Sequence, residues 1–205
     1  ARESVLHGIA RGFAHLGTHP TTRTLVIALS GLNLAVGPAV GIGLALRAHD
    51  EGWGAQSLGL FEALLGLGAA LGAVSVVKWR PRREALAGFW ALVVQGVGII
   101  ALGWGPAWTV ATAAFVIGAT AGYASVLLSA TFSATVDTAY LGRMGSITRL
   151  GDDCLMPLAM AGFGLLASIT AVWVPFALFG GTMIALMVLP LSNRTFRRLA
   201  LVPTT

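Results

Sequence analysis

From Ala85 to Val136, and again from Cys154 to Asn193, the chain carries no charged residue. A soluble domain cannot hide runs of that length, because it normally carries about 25% charged residues distributed over all its elements. Here only 10% of the 205 residues are charged, 56% are hydrophobic, and the mean hydropathy is +0.82. A lipid interior accepts such runs: about 20 apolar residues in helical form cross a hydrocarbon core of about 30 Å, and a helix satisfies its own backbone there. That ruler marks six spans, at residues 22–46, 57–77, 85–104, 107–131, 146–169 and 172–192. The expected fold is an all-α membrane protein with six transmembrane helices, linked by a loop over residues 132–145 and by shorter ones elsewhere.

The basic residues orient the spans. Arg2, Arg11 and Arg23 precede or open the first span, and Lys78, Arg80, Arg82 and Arg83 lie between the second and third. Arg143 and Arg149 fall between the fourth and fifth or just inside the fifth, and Arg194, Arg197 and Arg198 follow the sixth. Only Arg47 falls on the other side. Positive charge marks the cytoplasmic face, so both termini are expected there. The same placement accounts for a net charge of +5 without nucleic acid as a partner. Residues 1–21 form a linker whose Val5, Leu6, Ile9, Phe13 and Leu16 follow helical spacing, either as an amphipathic helix on the inner membrane surface or as a solvated connection. Residues 193–205 form a cytoplasmic tail.

Most of the 27 glycines lie within the apolar runs rather than between them, the pattern of helices packed closely in lipid. On the second span Leu60, Leu64, Leu67, Leu71 and Val74 make a stripe suited to lipid. Glu62, Gly66, Ala69 and Ala73 make a small one suited to protein. Glu62 is therefore expected to point into the bundle or a cavity, roughly 8 Å from the outer end at 1.5 Å per residue. Ser30, Asn33, Gly37 and Gly41 on the first span, Gln95 on the third, and Gly118, Gly122, Ser125 and Ser129 on the fourth extend the pattern. Asn33, Glu62, Gln95 and Ser125 are thus candidates for a substrate or proton pathway. The glycines themselves read first as tight helix contacts.

At the head of the fifth span stand Asp152 and Asp153, with Arg149 three and four residues before them. One guanidinium reaches either carboxylate at those spacings. The expectation is that one aspartate pairs with Arg149 while the other turns to a neighbouring helix or the cytoplasmic vestibule. The pair should lie about 3–5 Å inside the inner boundary, or about 9–10 Å if the helix starts near Ser146. Acids in a first turn also meet the positive end of the helix dipole. Together with Arg80, Arg82, Arg83 and Arg143 they form a candidate cytoplasmic gate, with a proton relay as the competing role.

The phrase VLHGIARGFAHLGTHPTTRTLVIALSGLNLAVGPAVGI resembles the central-loop helix and seventh helix of major facilitator superfamily exporters, with Gly12, His19, Pro20 and Arg23 on the matching positions. ATVDTAYLGRMGSI is similar to the loop between helices ten and eleven of the bacterial drug and siderophore efflux branch, which includes the enterobactin exporters, through Gly142 and Arg143. VSVVKWRPRRE keeps the basic residues of that family's loop motif at Lys78, Arg80, Arg82 and Arg83, but lacks its acid and glycine. The resemblance implies the C-terminal six-helix half of a twelve-helix transporter in a bacterial cytoplasmic membrane, and the start at Ala1 agrees with a piece of a longer chain. It further implies proton-coupled export of a small amphipathic substrate by alternating access, with the missing N-terminal half as the other wall.

Enzyme chemistry and cofactors find no support. His7, His15, His19 and His49 fall outside the spans, Cys154 is the single cysteine, and there is no HExxH, GxSxG or phosphate-cradling loop. Nor is there a metal-ligand set. The rival class is a non-transporting membrane scaffold or assembly factor of the same fold, and Asn33, Glu62 and Gln95 weigh against it.

Overall fold

The computed structural model describes residues 20–135 and 138–192. Among them every element is helical. α1 (Pro20–Pro38) passes through a π-helical turn (Ala39–Gly43) into α2 (Leu44–Asp50). Then follow α3 (Gly54–Lys78), α4 (Glu84–Leu102), α5 (Ala107–Thr135), α6 (Thr138–Ile169) and α7 (Trp173–Ser192).

Pro38 explains the π turn. A proline inside a helix has no N–H for the preceding turn, and its ring crowds the carbonyl four residues back. The chain accommodates it with a wider turn, closed where the Leu44 N–H donates to Ala39 O, five residues earlier. Elsewhere the reversals rely on glycine. Gly52 and Gly105 take φ of 68° and 79°, a left-handed conformation that a side chain resists.

Two seams hold the bundle by backbone contact. Between α3 and α5, a Cβ on Gly68 or Gly72 would fall 2.3 Å from Phe115 O and 2.0 Å from Ala119 O; one on Gly118 or Gly122 would fall 2.0 Å from Leu65 O and 2.1 Å from Ala69 O. Each helix thus offers a glycine notch to the other's backbone, the small-residue packing that draws helices together in lipid. The α4–α7 seam works alike, with a Gly96 Cβ 2.9 Å from Gly180 O and a Gly180 Cβ 2.5 Å from Gly96 O. Phe89, Leu92, Ile99 and Leu102 of α4, fully buried beside Ile117 and Leu128 of α5, fill the centre.

Five helices are long and apolar enough to cross a membrane by length and composition: Val26–Asp50, Gly54–Lys78, Glu84–Leu102, Ala107–Ala134 and Asp152–Ile169. On α7 the apolar stretch among the described residues is the shorter Trp173–Val188. This pattern fits a multi-pass membrane protein. Tryptophans mark both ends: Trp104, Trp108 and Trp173 are exposed where α4 ends and α5 and α7 begin, and Trp79 is exposed at the opposite end beside Lys78. Such rings favour a membrane–water boundary. Leu60, Leu67, Leu71 and Val74 of α3 are exposed, as are Leu155, Leu158, Leu165 and Ile169 of α6.

The loop expected over residues 132–145 is largely helix, since α5 continues to Thr135 and α6 starts at Thr138. Hydropathy marks where lipid would end, whereas a helix stops only where a breaker or a full cap stops it; no proline lies in residues 132–146, and Ser146 has Arg149 rather than Glu or Gln three residues on to complete a capping box. Residues 1–19 of the expected linker and the tail 193–205 lie outside the described residues.

Candidate functional site

α1 and α6 run side by side in one register. Asn33 meets Asp152, the notch at Gly37 receives Met156, the notch at Gly41 receives Met160, and Gly43 receives Phe163. The partner lies 119 residues on at the first three of these contacts and 120 at the last, so the two helices point the same way. Near Gly43 the pair closes over an aromatic cluster, Phe163 standing edge-on to Phe176 at 5.1 Å and near Phe179 at 5.2 Å. Towards the helix starts it opens into a cavity of about 470 Å³.

The polar side of that cavity is Asn33, Arg149, Asp152 and Asp153; Val36, Ala121 and Met156 supply its apolar side. Asn33 Nδ2 donates to Asp152 Oδ2 at 2.8 Å. The other carboxylate oxygen, Oδ1, is buried and has no donor among the described residues. Arg149 and Asp153 are exposed on the cavity wall, and among the described residues no ion pair joins Arg149 to either aspartate. The expected Arg149 pairing is therefore corrected: Asp152 turns to α1, and Asn33 is its partner. Two residues assigned by sequence to different roles, pathway and gate, form one contact.

The expected place of the acids in a first helical turn is also corrected, while the apolar stretch of the helix still begins at Asp152. α6 begins fourteen residues before Asp152, which puts the carboxylate roughly 21 Å along the helix from its start and roughly 26 Å from its end. Asn33 lies roughly 20 Å along α1. Both are mid-helix positions, so the helix dipole, which acts within the first turn, does not stabilise these acids. Their partners must be side chains.

The other candidates scatter. Glu62 is exposed on α3, not turned into the bundle. The glycine notch at Gly68 and Gly72 sets the rotation of α3, burying Phe61 and Val76 with it and leaving Glu62 outside beside Gly66, which meets nothing within 4 Å. Gln95 is fully buried on α4, and neither its Oε1 nor its Nε2 has a hydrogen-bond partner. It does not line the cavity. Ser125 is exposed one turn beyond Ala121 on α5 and also lies off the cavity. Arg80 bonds to Glu84 four residues on, which raises its pKa above the usual value through that hydrogen bond and the adjacent charge. It is committed to a local pair, and the exposed Arg82 and Arg83 do not line the cavity either. The Arg143 side chain lies outside the description. Among the described residues, then, the gate reduces to Arg149, Asp152 and Asp153.

Arg47 was legible only as the odd charge on the outer side. In the structure its Nη2 donates to Gly105 O at 2.9 Å, its Nη1 pairs with Glu51 at 3.1 Å, and its guanidinium lies 5.7 Å over the Trp53 ring. It fastens the end of α2 to the α4–α5 turn. Glu51 four residues on was the available signal. Among the described residues no group of His, Cys, Asp and Glu is placed to hold a metal ion.

Among the described residues the architecture is an all-helical bundle that fits a multi-pass membrane protein, with a charged seam between α1 and α6. No protein-family model, curated protein or solved structure matches the chain.

Proposed function

We propose that this chain is one six-helix half of a secondary transporter of the major facilitator type. In this reading it works in a bacterial cytoplasmic membrane and exports a small amphipathic molecule against re-entering protons, with a second six-helix bundle facing α3 and α6. The observation that carries the reading is the Asn33–Asp152 bond on the wall of the α1–α6 cavity. Ionisable groups facing a cavity in a membrane bundle are costly and mark ion or substrate paths, and substrate sites in such transporters lie between rocking bundles. The cavity closes at the Phe163–Phe176 end and opens towards the helix starts, as one limb of an alternating-access cycle requires.

Residues 47–56 face outward and 78–84 face the cytoplasm on this reading. Cysteines at Gln56 and Arg82, in a Cys154→Ala background, should react with an impermeant thiol reagent from outside and inside respectively. Transport itself is tested with Met156→Cys, also in Cys154→Ala. In the full-length protein this position should react from the cytoplasmic side in resting vesicles and from the opposite side after an imposed pH gradient. Labelling from one side only, indifferent to the gradient, would return the protein to the non-transporting scaffold class.

A further inference from the structure

We infer that the α1–α6 cavity binds a zwitterion, a small amphipathic molecule bearing an ammonium and an acidic group close together. The inference rests on the transport reading for its purpose, but binding tests it separately.

The starting point is charge left unneutralised. Arg149 stands one turn before Asp152 and Asp153, a spacing at which opposite charges pair on a helix. All three line one cavity, and no ion pair forms between them. Asn33, a neutral amide, satisfies one oxygen of Asp152 and leaves Oδ1 buried without a donor. A buried acceptor without a partner is a standing cost, and Arg149, the other side-chain donor on the cavity wall, does not meet it. An entering ammonium relieves it after a small turn of the carboxyl, with Asp153 as a second anion beside it.

A purely cationic ligand would leave Arg149 facing the same space with nothing to meet. A purely anionic one would meet Arg149 and be repelled by two carboxylates. A ligand with both charges answers each group and needs no net charge of its own, so it sheds less hydration on entering than a free ion would. The rise between Arg149 and Asp152 is about 4.5 Å, which suits charges a few bonds apart, as in an α-amino-acid head group. Val36, Ala121 and the flexible thioether of Met156 form the opposite wall and suit an apolar body of variable shape.

The probe is Nε-dansyl-lysine, whose α-ammonium and carboxylate share one carbon and whose ring system brightens in apolar surroundings. Dansylcadaverine lacks the carboxylate; Nα-acetyl-Nε-dansyl-lysine lacks the ammonium. Binding of the three is measured by fluorescence titration of the purified full-length protein. The zwitterion should bind about tenfold or more tightly than either relative, the scale of one charge-assisted hydrogen bond. Asp152→Asn should erase its advantage over the acetylated compound, and Arg149→Gln its advantage over dansylcadaverine. The wild-type comparison stands even if a variant fails to fold. Dansylcadaverine binding as tightly as the parent overturns the inference in favour of a simple cation site. Equal binding of all three, or none, reduces the cavity to an apolar one. Discrimination by charge without pH-driven movement in vesicles would refute transport and keep the zwitterion site; movement without discrimination would do the reverse.

Discussion

Replacing Gly72 with alanine adds one methyl group at a place where the structure has no room. The new Cβ would lie 2.0 Å from Ala119 O and 2.8 Å from the carbonyl carbon behind it. A tolerated carbon–oxygen contact is about 3.3 Å or more, so α3 and α5 must separate by roughly 1.3 Å at that point. The obstacle is backbone and cannot swing aside. Because Gly68, Gly118 and Gly122 share the seam, the separation loosens all four notches. Overpacking of this kind costs about 1–3 kcal/mol and sometimes more, or roughly 2–4 °C of melting temperature per kcal/mol in a chain of this size. Gly66→Ala is the control: it lies on the same helix, and its Cβ meets nothing within 4 Å. Removing that glycine should leave stability unchanged or raise it by about 0.5–1 kcal/mol. Thermal unfolding of both variants in one detergent gives the comparison. Equal shifts would refute the claim that α3 and α5 are held by backbone contact at Gly72.

Asn33→Leu strips Asp152 of its donor and should destabilise the protein by about 1–3 kcal/mol. Adding Asp152→Leu should recover part of that loss, whereas additive losses would mean that the two side chains do not interact. Arg47→Gln removes the guanidinium bonded to Gly105 O and should speed amide hydrogen exchange at Trp104 to Val110 while sparing α3; unchanged exchange there would exclude the fastening role. Glu62→Gln, at an exposed position, should change stability by less than about 0.5 kcal/mol, and a larger loss would place the carboxylate inside a contact.

The helices were readable because their signal is local. Runs such as Ala85–Val136 contain no charge, and apolar length alone sets where a helix can cross lipid. The faces were harder. On α3 the outward stripe was legible from five large residues, four of which are exposed, yet the rotation that exposes Glu62 depends on which glycines find a partner backbone. Gly66 and Gly68 look alike in sequence; only Gly68 sits opposite Phe115. The Asn33–Asp152 contact joins residues 119 positions apart, and nothing local couples them. Arg149 was paired with the aspartates because helical spacing allows it, but spacing limits what can meet and does not decide what does.

The glycine contacts divide the molecule by mechanical stiffness. Along α3–α5 and α4–α7 a glycine faces a carbonyl oxygen or backbone nitrogen, and neither can yield. Along α1–α6 the notches at Gly37 and Gly41 face the Sδ and Cε atoms of Met156 and Met160, the ends of unbranched, adaptable side chains. The first two seams are hard and the third is soft. Load on the bundle should therefore appear as slip between α1 and α6, with the α3–α5 and α4–α7 seams holding as rigid blocks. The charged cavity lies on that compliant line, so whatever enters it presses on the part of the protein most able to move.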